Sequence, residues 1–163
     1  MQTSYSTLFA AGYEGQLVHG PFGRVIESCI CDGPVVAGKG VTLKTSASGG
    51  TPTIVRAPET GDTADVFFGI VMYDAAHTPA STVSPGYQYA DGAVVPVLRV
   101  GQIWVKTEDA CTAGEDVFWR VVAEGSEEAG SFRNDADSDC VELPLARFIR
   151  TSSAGALNIV ELR

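Results

Sequence analysis

The sequence predicts an all-β protein: a single compact barrel- or sandwich-like domain of short strands and long loops, preceded by an extended N-terminal arm. Three observations predict it. Eighteen glycines and eight prolines interrupt the 163 residues often, as many short strands joined by turns require. The apolar residues gather in short runs rich in Val, Ile, Phe and Trp, which suit a pleated, half-buried surface. No stretch repeats its apolar residues every 3.6 positions, so helix content is expected to be low.

The arm is read over residues 1–24 and the β-rich domain over 25–163. Gly12, Gly15, Gly20, Pro21 and Gly23 punctuate the arm, and its apolar residues follow no period. Tyr5, Leu8, Phe9, Tyr13, Leu17, Val18 and Phe22 are too many large apolar groups for a solvated tail, so the arm must pack on something. Arg24 to Cys31 reads as the first strand, with Asp32-Gly33 as a turn. Pro34 to Ala37, Val41 to Thr45 and Ile54 to Ala57 read as short strands. Phe67 to Met72 is apolar on both faces, which marks a buried central strand. Residues 74–92 form the longest polar stretch, expected either as a loop that makes contacts or as an ordinary mobile surface loop.

The run Ala93 to Lys106 follows, and the rest is organised around it. Gly101 lies where a bulge would re-aim the chain, so two strand segments meeting at a kink are expected. Glu115 to Val122 alternates, with Val117, Trp119 and Val121 against Phe118, Arg120 and Val122. Val141 to Arg150 and Ala156 to Leu162 close the domain as strands joined through Ser152-Ser153-Ala154-Gly155.

Charge and targeting signals narrow the functional classes. Twenty acids against eleven bases give a net charge of −9, and the bases do not cluster, which argues against direct contact with nucleic acid. No apolar run reaches the ~20 residues that cross a bilayer. The N-terminus has neither a basic n-region nor an apolar stretch, so no signal peptide is read and synthesis in a cytoplasm is expected. In such a reducing compartment Cys29, Cys31, Cys111 and Cys140 read as small buried hydrophobes. Cys29 and Cys31 are the one close pair, read as facing opposite sides of a strand, and a zinc site would want a second pair.

No catalytic constellation stands out. The chain has no G-x-S-x-G elbow, no Walker A loop and no H-E-x-x-H, and both histidines, His19 and His77, fall in predicted loops. Asp135, Asp137 and Asp139 alternate like the start of an EF-hand, but Cys140 stands where its glycine must be and Ala146 where its glutamate must be. That leaves a solvated turn or a looser cation site. No catalytic, cofactor-binding or metal residue is therefore assigned.

Five segments carry a family resemblance: FFGIVMYD (67–74), VVPVLRVGQIWVKTE (94–108), CTAGEDVFWR (111–120), FRNDAD (132–137) and LPLARFIRTSSAGALNIVEL (143–162). In this order they resemble the structural cement, or capsid decoration, proteins of tailed bacteriophages. The shared pattern is an Arg-x-Gly-x-aliphatic-Trp-Val strand, a Thr-Ala-Gly-acid turn, Phe-Arg before an acidic turn, and a closing Ala-Gly-x-Leu-x-x-Val-Glu-Leu. The likeness is strong over residues 67–163 and one of style only before that.

The resemblance implies a protein without chemistry. It would be made in a bacterial cytoplasm and sit on the outer capsid surface of the virion as a homotrimer. There it would bridge major capsid subunits and stabilise the shell against internal DNA pressure, with no cofactor, membrane or nucleic acid involved. The arm and the 74–92 loop would make the contacts, through Tyr5, Leu8, Phe9, Tyr13, Phe22, His77, Tyr87 and Tyr89. The alternatives are another virion β-domain (head fibre, tail or baseplate) or a carbohydrate-binding module. The latter would need exposed aromatic side chains, whereas Trp104 and Trp119 lie in strands expected to be at least partly buried.

Overall fold

The computed structural model describes residues 12–18, 23–80 and 86–163. It contains eleven strands: β1 (Val25–Cys31), β2 (Val35–Val36), β3 (Gly40–Thr45), β4 (Ile54–Arg56), β5 (Phe67–Val71), β6 (Gln88–Tyr89), β7 (Val94–Lys106), β8 (Asp116–Arg120), β9 (Phe132–Arg133), β10 (Cys140–Phe148) and β11 (Leu157–Leu162). One 3-10 turn, Ala64–Val66, leads into β5, and no α-helix occurs among the described residues. The predicted strands are present within a residue or two at their ends. The differences are β9, where no strand is expected, and β6, which lies in the polar stretch 74–92. Val35 pairs with Tyr89 and Val36 with Gln88, so a portion of that loop is tied back as a two-stranded ribbon.

Strands β1-β4-β3-β5-β7 run in that order, and β1 also pairs with β7, which closes the ring. The sheet continues from β7 through β11, β10 and β8 to β9. Thr107, just after β7, bridges Phe132 in β9, so this second set also curls back on β7. Two apolar cores result. Cys29, Cys31, Val41, Val55, Val71, Val95 and Val97 fill the first. Ile103, Val105, Val117, Trp119, Phe132, Phe148 and Val160 fill the second. Each such side chain, taken fully out of water, contributes about 1.5–3 kcal/mol.

β7 passes from one core to the other through the predicted kink. Ile26 pairs with Leu98 and Val25 with Val100, so one step along β1 matches two along β7 and Arg99 is the extra residue. Gly101 follows at φ +127°, a conformation that a side chain would resist. Beyond it, Gly101 to Lys106 pair with Leu162 to Leu157 of β11. β5 is the buried central strand that its sequence predicts, lying between β3 and β7. Gly69 lets it approach closely, because a Cβ there would stand 2.3 Å from the Leu98 carbonyl oxygen.

One expectation is corrected. Cys29 and Cys31 share the inner face, each 1% exposed, as residues two apart on a strand must. Alternation puts Arg120 on the face opposite Trp119, and the structure adds that both faces are covered there: Arg120 and Trp119 are both buried.

Candidate functional site

Glycines allow residues 12–18 to lie against the domain as a strap. The Gly15 and Val18 N–H groups donate to the Trp104 and Gln102 carbonyls, and the Trp104 N–H donates to the Gln16 carbonyl. The strap thus covers the edge of β7 that β11 leaves free. Gly15, at φ +80°, packs where a Cβ would be 2.9 Å from Ala37 Cβ, Gly38 N and Tyr73 N. A Cβ on Gly12 would meet the Trp104 ring at 2.5 Å, and one on Gly38 would meet Glu14 Cγ at 2.1 Å.

The strap joins the 74–92 loop through a series of rings. Tyr13 stands edge-on to Tyr73 at 4.6 Å, Tyr73 to Tyr87 at 4.6 Å, and Tyr87 to Tyr89 at 5.3 Å, while His77 tilts against Tyr89 at 4.8 Å. Edge-to-face pairs of this kind contribute about 0.5–1.5 kcal/mol each beyond area burial. The Tyr87 hydroxyl donates to the Asp74 and His77 carbonyls, and Tyr89 donates to the Met72 carbonyl at 2.8 Å. Burial raises the pKa of both phenols, so they remain donors.

Four of the predicted contact residues therefore come together, in different states. Tyr13 is 50% exposed and Tyr89 is 0% exposed, with His77 and Tyr87 between. Tyr89 is a core side chain that supports the loop from beneath and offers no surface. Tyr5, Leu8, Phe9 and Phe22 lie outside the described residues. Tyr73, the middle ring, is not among the residues the sequence singles out, although it ends the apolar run FFGIVMY and so continues β5 toward the loop.

Below the strap is a polar cleft of about 460 Å³ lined by Glu14, Lys39, Lys106, Glu127, Glu128 and Ser131, among others. Lys39 is 7% exposed. Its Nζ donates to Ser131 Oγ at 2.8 Å and pairs with Glu128 at 3.1 Å and Glu14 at 3.4 Å. On another face, a groove of about 300 Å³ runs between Phe68, Arg99, Leu143, Pro144, Leu145 and Arg163. Arg99 stacks on the Phe68 ring at 3.9 Å. The β8–β10 register slips between Leu143 and Arg147, which turns Leu145 outward to 66% exposure.

The Asp135–Asp139 turn is exposed at Asp135, but two arginines engage its first two carboxylates. Arg120 donates to Glu108 at 2.7 and 3.0 Å and to Asp137 at 3.0 Å. Arg133 donates to Asp137 at 2.7 Å and to Asp135 at 2.7 Å. Arginines thus occupy Asp135 and Asp137, and among the described residues no cluster of three potential ligands forms a metal site. Burial pushes the Cys29, Cys111 and Cys140 thiols up to about 11, so they stay protonated and are neither nucleophiles nor ready metal ligands.

The described residues form an all-β body that carries a half-exposed tyrosine on its strap and outward-turned apolar side chains such as Leu145. The family model described as structural cement protein (E217 gp24/Pam3 gp6) matches residues 1–163, and the chain belongs to that family. It is a structural protein of the phage virion. A solved chain described as "The capsid of Myoviridae Phage XM1" shares the fold, with a TM-score of 0.69 at 12% identity over 99% of this chain and 96% of that one. A chain described as the head fiber gp8.5 N base of bacteriophage phi29 aligns with a TM-score of 0.43 at 10% identity, over 86% of this chain and 95% of that one. No curated protein sequence matches.

Proposed function

We propose that the protein docks as a homotrimer on the outer surface of the mature head, bridges neighbouring major capsid subunits and holds the shell against the pressure of packaged DNA. The observation that carries this reading is the match to the cement family over the entire chain. The surface supports it. Tyr13, Tyr73, Tyr87 and His77 gather arm and loop at one place, where contact with a partner would use both segments at once. Threefold closure gives each copy the same two neighbour contacts, and many weak contacts add by avidity. A net charge of −9 suits an exterior position better than one facing DNA.

Residues 1–24 act as the arm and 25–163 as the body. Contact is made by Tyr13 and Tyr87, together with Tyr5, Leu8, Phe9 and Phe22 of the arm and His77 of the loop. The protein works without catalysis, cofactor or nucleic acid, and is made in the bacterial cytoplasm before it joins the virion.

The test is co-sedimentation of the purified protein with intact, expanded, undecorated heads. Saturable binding at a fixed ratio to capsid subunits is expected, and Tyr13→Ala, at a half-exposed side chain, should weaken it while leaving the fold intact. Failure to bind such heads would overturn the reading.

A further inference from the structure

The strap is fastened at one point by a carboxylate in an unusual position. Glu14 is drawn under the surface, with its side chain 21% exposed, because Gly38 leaves room for it. Its Oε1 is buried and, among the described residues, has no well-formed hydrogen bond, only the long approach of a lysine. Among the described residues the nearest cation, Lys39, stands 3.4 Å away and spends its shorter contacts on Ser131 and Glu128. A charged oxygen with only a long, shared lysine contact is poorly compensated for burial, whereas a neutral carboxyl in the same place loses less by leaving water. The groups that face it are Lys39 from the β2–β3 turn, Glu128 from the 124–130 loop and Lys106 from the end of β7.

We propose that the strap is a pH-gated latch, docked most tightly when Glu14 is neutral and loosened when it ionises. The inference rests on the strap's own geometry and stands whether or not a phage head is the partner. Released, Glu14 is in water and titrates near its ordinary value of 4.5. Docked, burial raises that value; Lys39 and Lys106 oppose the shift and Glu128 adds to it. Docking therefore takes up a proton. It is strongest below the ordinary value and weakens as pH rises through the raised one, by up to about tenfold per pH unit between the two. Release frees the Trp104 N–H and the Trp104 and Gln102 carbonyls, an open strand edge of the kind an extended partner segment pairs with. It also takes Tyr13 off Tyr73.

Hydrogen–deuterium exchange of the full chain, corrected for intrinsic rates, tests this at about pH 4 and about pH 7.5. The Gly15, Val18 and Trp104 amides report the strap; the Cys111 and Ile149 amides, bonded within the second sheet, are the reference. Relative to that reference, strap amides should be several-fold better protected at the lower pH. The Glu14→Gln variant should show high protection at both. Equal relative protection of the wild type at the two values overturns the latch. So does a Glu14→Gln strap less protected than wild type at pH 7.5, because the ionised pair with Lys39 would then be what holds it.

Discussion

Replacing Arg120 by methionine tests whether the buried ion-pair cluster holds the second core together. The Arg120 side chain is 1% exposed and that of Glu108 is 4% exposed. Asp137 would keep its 2.7 Å bond from Arg133, but Glu108 would be left with Arg133 Nη1 at 3.8 Å. Removing one partner of a buried pair costs about 3–5 kcal/mol, because the other charge stays behind without compensation. At about 2–4 °C per kcal/mol for a chain of this size, the thermal midpoint should fall by about 6–20 °C. Urea unfolding, with the slope unchanged, gives the free energy directly. The double variant Arg120→Met with Glu108→Leu removes the orphaned charge and should recover most of the loss. A single variant within about 1 kcal/mol of wild type would refute the reasoning. A double variant no better than the single would do the same.

Two further outcomes are expected. Gly69→Ala should destabilise by at least about 1–3 kcal/mol, because the added methyl meets the Leu98 carbonyl oxygen at 2.3 Å and the backbone of β7 cannot step aside; the thermal midpoint measures it. Stability should also fall in acid. Burial alone would raise the Asp62 pKa, but Arg56, the Glu59 N–H and the Thr42 hydroxyl outweigh it and hold the carboxyl below its ordinary 3.8. A group lowered on folding contributes above its unfolded value, and that contribution is lost as pH falls through the folded one. Urea midpoints at about pH 6 and about pH 3 should therefore differ less in Asp62→Asn than in wild type, and an equal difference would count against this assignment.

The strands are legible in the sequence because β-branched runs between glycines leave a short chain few other ways to bury itself. The bulge in β7 is legible for a related reason: Gly101 interrupts a run that otherwise has none. Arg120 is not legible. Alternation assigns it to the face opposite Trp119, and only the distant residues Glu108 and Asp137 make its burial tolerable. The aromatic cluster is half legible. Loop and arm can be suspected from their tyrosines, but the meeting of Tyr13 with Tyr87 through Tyr73 depends on the strap pairing with β7, which no local pattern encodes. Lys39 reads as a turn residue in Gly38-Lys39-Gly40, and nothing nearby announces the carboxylates that surround it.

β7 is held on both edges over most of its length, by β1 and β5 before Gly101 and by β11 and the strap after it. A pull that separates the closed ring from the strands beyond it therefore acts along β7 and loads its ladders in shear. In shear many bonds must break together, whereas in peel they break singly and in turn. A molecule with one strand common to both halves has no weak seam between them. Under tension it should yield at its outer contacts before its own body opens.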